Sequence, residues 1–123
     1  MLKGLRTVVY VAPDLPAARD WYARAFALKP YCELPFYVGF KVGGFELGLV
    51  AVKAQAGGAG GEIAYWGVDD VADVHRHLLS VGASNHEDPH DVGEGIVVGS
   101  VLDPFGNPIG LIHYPHFGLQ AVR

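Results

Sequence analysis

An internal repeat constrains the fold of this chain more than any other feature of its sequence. A stretch that begins at Thr7 runs through β-branched residues to Asp14 and continues into a helix-like segment. The same order recurs 56 positions later, from Ile63 through Asp70 into a second helix-like segment. Each half therefore has the order strand, aspartate, helix. Such a repeat predicts two tandem copies of one supersecondary unit rather than a single irregular fold.

Local signals place the strand and the helix of each half. Residues 8–11 and 63–68 are rich in β-branched and aromatic residues, as strands prefer. Asp14 and Asp70 stand where an N-cap side chain accepts hydrogen bonds from the first free amides of a helix. The predicted helices and their core-facing stripes are about residues 15–27, with Leu15, Ala18, Tyr22, Ala25 and Phe26, and about residues 71–81, with Val71, Val74, Leu78 and Val81.

Strand-like sequence interrupted by turn residues follows each helix. The Gly43–Gly44 pair and the run from Asp103 to Pro108 are the predicted turns of the two halves. Between the halves, residues 53–61 (KAQAGGAGG) form a predicted flexible linker. The strands predicted beside the turns are residues 36–42, 45–52, 96–102 and 109–114.

These elements define the predicted fold class and domain organisation. The class is α+β, with two tandem βαβββ modules over about residues 5–52 and 62–116. Both modules belong to one domain, residues 1–123, because a half of about 55 residues buries too little surface to fold alone.

Composition excludes several classes of partner. The formal net charge is −4, from 13 acidic and 9 basic residues, and no basic run could neutralise a row of phosphates, so we expect no nucleic-acid partner. The single cysteine, Cys32, cannot form an internal disulfide. No apolar stretch approaches the roughly 18 residues of a membrane-spanning helix, and no secretory signal is evident. We therefore expect a cytoplasmic protein that does not associate with membranes.

The order of motifs resembles the vicinal-oxygen-chelate superfamily of glyoxalases, bleomycin-resistance proteins and dioxygenases. The resemblance rests on the strand that ends in Asp-Leu or Asp-Val, on the Trp21–Tyr22 pair near the end of the helix, and above all on the late turn Asp103-Pro104-Phe105-Gly106-Asn107-Pro108. Residues 35–44 also resemble uncharacterised bacterial glyoxalase-like members. The resemblance covers nearly the whole chain. It implies that the strands of the two modules curl into an incomplete barrel around a cavity.

The resemblance also implies four metal-ligand positions, filled by His and Glu in the catalytic members. In this chain those positions fall on Thr7, Gly48, Ile63 and Gly110, none of which carries a strong metal ligand. We therefore expect no cofactor of the usual kind. Glu46 lies two residues from Gly48, on the same side of its strand, so a displaced divalent-metal site remains an alternative.

The histidines are the other route to a metal. The segment 86–91 contains two imidazoles and three carboxylates, but its proline prevents a helix from gathering them, and we expect a solvated loop. His75 and His77 lie in the second helix, where a partly exposed structural role is expected. His113 and His116 flank Tyr114 and Pro115 at the end of the last strand, where we expect solvent exposure.

Strand alternation selects candidate residues for a ligand pocket in a chain with 6 Phe, 6 Tyr and 2 Trp residues. The absent side chains of Gly48 and Gly110 would leave space for an apolar or planar ligand that stacks on Tyr65 or Tyr114. Alternatively, the aromatic residues fill the barrel. The candidate substrate-binding residues are Thr7, Val9, Gly48, Ile63, Tyr65, Gly110, Ile112 and Tyr114.

The sequence thus predicts a metal-independent protein that binds a small organic ligand and acts as a homodimer, in which strand edges are covered. Two enzyme alternatives remain open. One is a glyoxalase-like lyase or dioxygenase with a displaced metal at Glu46 and His113 or His116. The other is a metal-free enzyme in which Glu46 is the catalytic base and Tyr65 or Tyr114 donates a hydrogen bond to an oxyanion.

Overall fold

The computed structural model describes residues 1, 3, 5–51 and 63–115. The chain divides into two compact units, Met1–Glu62 and Ile63–Arg123, which correspond to the two predicted modules. The predicted linker lies outside the described residues. Among the residues that the structure describes, each unit contains one helix and one open four-stranded sheet, so the predicted α+β fold of two βαβββ modules is confirmed.

The first unit has the sheet order β1-β4-β3-β2. β1 pairs parallel with β4, and the other neighbours are antiparallel. Its elements are β1 (Thr7–Val11), α1 (Leu15–Phe26), β2 (Cys32–Leu34), β3 (Tyr37–Val42) and β4 (Phe45–Val50).

The helix α1 covers one face of this sheet. Asp14 Oδ1 accepts a hydrogen bond from Ala17 N at 3.1 Å, which confirms the predicted N-cap. Tyr22 is fully buried and stacks on Tyr10 of β1 with ring centroids 5.8 Å apart. The other buried residues on this side are Leu15, Ala18, Trp21, Ala25, Val38, Phe40, Leu47 and Leu49. Because strand side chains alternate, Thr7, Val9, Tyr37, Glu46 and Gly48 lie on the face opposite α1.

The hairpin between β3 and β4 fixes the register of that opposite face. Gly43 and Gly44 have φ of 56° and 91°, the left-handed values that a two-residue type I′ turn requires. This turn pairs Lys41 with Glu46, and Gly39 with Gly48. The turn residues therefore decide which side chains become neighbours of Glu46.

The second unit repeats the arrangement, with the sheet order β5-β8-β7-β6. Asp70 Oδ1 accepts a hydrogen bond from Asp73 N at 3.0 Å, so the second predicted N-cap is also confirmed. The elements are β5 (Tyr65–Gly67), α2 (Val71–Ser80), β6 (Ser84–Gly93), β7 (Ile96–Leu102) and β8 (Pro108–His113).

The turn from Asp103 to Pro108 is held by a buried carboxylate. Asp103 is only 3% exposed. Its Oδ1 accepts hydrogen bonds from Phe105 N at 2.9 Å and Asn107 N at 2.7 Å, and its Oδ2 accepts one from Asn107 Nδ2 at 2.9 Å. The conformation at Gly106 is left-handed, with φ of 94°. The most specific motif of the sequence is therefore explained by turn structure.

The interpretation of residues 86–91 as a loop was wrong, because they lie within the edge strand β6. A register shift between Glu87 and His90 leaves Asp88 and Pro89 without partners in the ladder, which is how a strand accommodates proline. A second left-handed turn, Glu94 and Gly95 with φ of 57° and 79°, joins β6 to β7.

The second helix also differs from its predicted pattern. His75 is 6% exposed and takes the core-facing place expected for an apolar residue, and its Nε2 shares a 2.8 Å hydrogen bond with Asn85 Oδ1 on β6. His77 is exposed rather than partly buried. Within the described residues, no helix has the length and apolar character needed to cross a bilayer.

Candidate functional site

The face opposite α1 carries a carboxylate fixed by two phenols. The hydroxyl of Tyr31 donates to Glu46 Oε1, and the hydroxyl of Tyr37 donates to Glu46 Oε2. Thr7 hydrogen-bonds to Tyr37 as well. We call Glu46, Tyr31, Tyr37, Thr7 and Lys41 the Glu46 cluster. It contains two residues predicted as site residues, Thr7 and Glu46, and three that the sequence interpretation missed.

Strand register brings the cluster together. Thr7 and Glu46 are direct partners in the parallel pair of β1 and β4, and Lys41 and Glu46 are direct partners in the hairpin. Tyr37 is opposite Val50, so its long side chain reaches diagonally along β4 to Glu46. Tyr31 precedes β2 and is held by a hydrogen bond from its amide to Gly39 O at 2.9 Å.

Two paired glycines form the floor beneath the tyrosine rings. A Cβ on Gly48 would lie 2.8 Å from Cε1 and Cζ of Tyr37, closer than carbon atoms approach in proteins. A Cβ on Gly39 would lie 3.2 Å from Tyr31 Cε1 and Tyr37 Cε2, and 3.3 Å from Glu46 Oε2. The prediction that Gly48 leaves space for a ligand was therefore wrong, because the ring of Tyr37 fills that space.

The hydrogen bonds shift the pKa of the carboxyl group and the pKa values of the two phenols in opposite directions. The bond from Tyr31, and then that from Tyr37, lowers the pKa of Glu46; partial desolvation opposes this effect, and Lys41 adds to it. Burial, followed by the bond to Glu46, raises the pKa of Tyr37 to about 12. The bond to Glu46 also raises the pKa of Tyr31. At neutral pH the cluster is one carboxylate between two neutral phenols.

A lysine lies on the outer side of the cluster. Lys41 Nζ is 5.1 Å from the ring centroid of Tyr31, within the range of a cation–π interaction. Lys41 is exposed, and Tyr31 is 52% exposed. The outward ring face of Tyr31 is thus accessible to positive charge, directly beside an anionic oxygen.

The second unit has a related arrangement at the other predicted glycine. Tyr65 and Gly110 are direct partners of the parallel pair of β5 and β8. A Cβ on Gly110 would lie 2.6 Å from Ala64 O and 2.7 Å from Tyr65 Cδ1. The predicted ligand space at Gly110 is therefore also filled, by the backbone and by the ring on which the ligand was expected to stack.

The remaining predicted pocket residues lie on β1 and in the second unit, where Ile63 precedes β5 and Tyr114 follows β8. Val9 lies on the face opposite α1 in the first unit and is 48% exposed. Ile63 and Ile112 of the second unit are half-buried. Tyr65 and Tyr114 are 43% and 47% exposed.

The four metal-ligand positions do not fit a metal in this structure. The neutral hydroxyl of Thr7 is a weak metal ligand, and Ile63 has no atom that could bind a metal. Tyrosine rings occupy the space above Gly48 and Gly110. Among residues 5–51 and 63–115, no three or more His, Cys, Asp or Glu side chains are grouped so that they could hold a metal ion.

The histidines do not supply the missing ligands. His113 alternates with Ile112, so it lies on the α2 side of its sheet with Leu111, whereas the predicted pocket residues lie on the other side. His116 lies outside the described residues. In β6, His86 Nδ1 shares a hydrogen bond with Ser100 Oγ, and His90 Nδ1 shares one with Asp88 O, both at 2.8 Å.

A shallow cleft of about 410 Å³ lies beside α1 and β2 in the first unit. Its charged groups already bind one another: Arg19 Nε donates to Glu33 Oε1 at 3.2 Å, and Arg19 Nη1 donates to Asp20 Oδ1 at 3.1 Å. This cleft is a weaker candidate than the Glu46 cluster. Its lining residues are Leu15, Pro16, Arg19, Asp20, Glu33, Leu34, Pro35 and Val38.

Solved structures of similar fold include enzymes and a resistance protein. A glyoxalase-related enzyme from Fulvimarina pelagi is 22% identical over 93% of this chain and 90% of its own, with a TM-score of 0.75. Lactoylglutathione lyase from Agrobacterium tumefaciens is 23% identical over 96% and 98%, with a TM-score of 0.74. A bleomycin resistance determinant encoded on the transposon Tn5 is 19% identical over 92% and 99%, with a TM-score of 0.71. At these identities the likeness shows the fold alone.

Family membership follows from the sequence itself. No curated protein sequence matches the chain. The family model described as Glyoxalase/Bleomycin resistance protein/Dioxygenase superfamily matches residues 4–111, which is most of the chain. The predicted resemblance is thereby confirmed, and the chain belongs to the glyoxalase/bleomycin resistance protein/dioxygenase superfamily.

Proposed function

We propose that this chain is a small-molecule-binding protein that works without the usual metal site of its superfamily. The observation that carries the proposal is the Glu46 carboxylate, which two tyrosine hydroxyls fix above the glycine floor of Gly39 and Gly48. A fixed polar group among aromatic side chains is typical of sites that orient a small ligand.

The exposure of the surrounding apolar groups supports a binding role. Val9, the ladder partner of Gly48, is 48% exposed, and Tyr31, which binds Glu46, is 52% exposed. Such a surface offers apolar contact area together with one strong hydrogen-bond acceptor. In the second unit, Ile63, Tyr65, Ile112 and Tyr114 remain our candidate ligand-binding residues, whereas Gly110 is covered by the backbone of Ala64 and the ring of Tyr65.

Metal independence is supported by the way the ligand positions are filled. In the first unit the ring of Tyr37 lies where a ligand side chain at position 48 would start. Glu46 has both oxygens engaged by phenols, so a metal would have to replace these hydrogen bonds with a single carboxylate ligand. A single carboxylate makes a weak site for a divalent ion.

A role for Glu46 as a catalytic base is less well supported. A general base is most effective when its pKa is near the working pH, whereas the two phenols lower the pKa of Glu46. The hydrogen bonds therefore favour a carboxylate that binds and orients over one that accepts a proton.

We also propose that the protein is a cytoplasmic homodimer. Each sheet has two edge strands, β1 and β2 in the first unit and β5 and β6 in the second. A second copy would cover exposed edges, and two-fold pairing is the commonest way in which chains do so. The unpaired Cys32 is consistent with a reducing compartment. Sedimentation velocity would detect a dimer, and a monomer at micromolar concentration would refute this part of the proposal.

Two measurements on purified protein test the function itself. Metal analysis of protein prepared without a histidine tag or chelator should find substoichiometric metal, and Zn²⁺, Ni²⁺, Mn²⁺ and Fe²⁺ should not raise the melting temperature. A thermal-shift screen of aromatic amines, alcohols and acids should find stabilising compounds. A ligand at a hundredfold excess over its Kd stabilises the native state by about 2.7 kcal/mol.

Variants connect the screen to the site. Glu46→Gln should abolish or reduce stabilisation by the hits, whereas Glu94→Gln makes the same chemical change on an exposed turn of the second unit and should leave it intact. Stoichiometric metal would refute metal independence. Hits that stabilise wild type and Glu46→Gln equally would refute the assignment of the site, and a screen without any hit would refute the binding function.

A further inference from the structure

The two tyrosines that bind Glu46 are themselves held differently. Tyr37 is half-buried in β3, its ring packs on Gly48, and its hydroxyl also contacts Thr7. Tyr31 lies outside the strands and is 52% exposed. Its backbone is fixed to β3 by the bond from its amide to Gly39 O, but its side chain reaches Glu46 along the surface. Of the two phenols, Tyr31 is the one that can swing away without disturbing the sheet.

The charges of the cluster favour one class of ligand. The pKa of Glu46 is lowered and those of Tyr31 and Tyr37 are raised, so the cluster carries an anion flanked by neutral rings. The ring of Tyr31 already attracts the ammonium group of Lys41 at 5.1 Å. A ligand with N–H donors and a positive charge would gain both the carboxylate and the ring face. An anionic ligand would be repelled by Glu46.

We propose that the Glu46 cluster binds an organic cation of the ammonium or amidinium class, which takes the place of the Tyr31 hydroxyl at Glu46 Oε1 while Tyr37 holds the carboxylate in position. This inference rests on the proposed function and specifies its ligand. Lys41 competes with the ligand for the same ring face and carboxylate. Even without a ligand, the Glu46 cluster thus holds a positive charge, the ammonium group of Lys41, against the Tyr31 ring.

Three probes of one shape and different charge test the ligand class. We would titrate ¹⁵N-labelled protein at pH 7 with 2-naphthylmethylammonium, 2-naphthylmethanol and 2-naphthoate, following the amide signals of Gly39 and Gly48 by NMR. The ammonium probe should bind on the order of fivefold more tightly than the alcohol, as expected for an exposed ion pair with a cation–π contact. The naphthoate should bind least. Added salt should weaken only the ammonium probe markedly.

Single substitutions test the displacement of Tyr31. Tyr31→Phe keeps the ring and removes the competing hydroxyl, so it should tighten binding of the ammonium probe by about twofold to threefold. Tyr37→Phe should weaken it, since the carboxylate loses its anchor. Lys41→Gln should tighten it, and Glu46→Gln should remove the preference for the cation. Glu94→Gln is the matched control that should change nothing.

The outcomes separate this inference from the proposed function. If the three probes bind with equal affinity, the cation is not selected and the inference is overturned, although binding itself stands. If Tyr31→Phe weakens the ammonium probe as much as Tyr37→Phe does, the displacement of Tyr31 is refuted. If no probe moves Gly39 or Gly48 while hits from the thermal-shift screen do, another ligand class occupies the site and the inference fails alone.

Discussion

The contact between Tyr37 and Gly48 predicts that Gly48→Ala destabilises the wild-type protein but stabilises a variant that lacks the Tyr37 ring. In Gly48→Ala, the new Cβ would lie 2.8 Å from Cε1 and Cζ of Tyr37, so the ring must move. Because the ring carries the hydroxyl that donates to Glu46, its movement breaks that hydrogen bond. The effect of the substitution on stability is therefore set by a side chain on the neighbouring strand.

The magnitude follows from two opposing effects. A hydrogen bond to a charged group contributes about 1.5–3 kcal/mol, and the lower end applies here because Glu46 is partly solvated. Replacement of glycine by alanine at an unstrained position stabilises by about 0.4–1 kcal/mol, because the unfolded chain loses freedom. Gly48→Ala should therefore lower the free energy of unfolding by about 1 kcal/mol. In a Tyr37→Val background, where the clashing atoms are gone, Gly48→Ala should raise the free energy of unfolding by about 0.5 kcal/mol.

Urea unfolding of the wild type, both single variants and the double variant gives the coupling energy directly. We expect a coupling of about 1.5 kcal/mol, with the effect of Gly48→Ala reversing sign between the two backgrounds. Equal destabilisation by Gly48→Ala in both backgrounds would refute the reasoning. It would show that the backbone at position 48, rather than the ring of Tyr37, requires glycine.

Three further predictions concern stability. Asp103→Ala removes three hydrogen bonds of a buried carboxylate and should cost about 3–4 kcal/mol in urea unfolding; a loss below 1 kcal/mol would contradict the structural role of the turn. Gly110→Ala should cost more than Gly48→Ala, because its Cβ meets the backbone oxygen of Ala64 at 2.6 Å, and an equal or smaller loss of stability would argue against that contact. Glu46 has a folded-state pKa below its ordinary value of 4.5, so its contribution is complete above about pH 5 and is lost as the pH falls through the lowered pKa. The difference in the free energy of unfolding between wild type and Glu46→Gln should shrink over that acid range. A constant difference from pH 7 to pH 3 would show that the ionised carboxylate of Glu46 does not stabilise the fold.

The repeat could be predicted from the sequence because its signals are local. The N-cap aspartates and the glycine turns act within a few residues, and strand periodicity can be seen without tertiary context. The strand β6 was missed for a physical reason. It is an edge strand with mostly exposed, polar residues, so it shows no apolar alternation, and its proline falls between ladder pairs. His75 was missed because its burial depends on Asn85, a partner on another element.

The candidate site was predicted only in part. Thr7 and Glu46 could be selected from strand alternation, but Tyr31, Tyr37 and Lys41 become neighbours of Glu46 through pairing across strands. The Gly43–Gly44 turn already contained part of this information, since a two-residue hairpin sets Lys41 opposite Glu46 and Gly39 opposite Gly48. Extending the predicted register along the hairpin would have placed Tyr37 within reach of the glycine floor.

In both units a tyrosine ring packs against a glycine, although the ring comes from a different place in each sheet. At both positions where the superfamily resemblance implies a ligand carboxylate, this chain has glycine with a tyrosine ring against it: Tyr37 on Gly48 and Tyr65 on Gly110. In the first unit the ring comes diagonally from a neighbouring strand, and in the second it comes from the direct partner in the ladder. A glycine retained only to create a cavity would face open space. These glycines instead make room for rings that are polar at one end, so the surface at each of the two positions is aromatic rather than empty. In the first unit that surface also keeps one carboxylate, Glu46, charged and in a fixed position, and this is the feature on which recognition of a cation would depend.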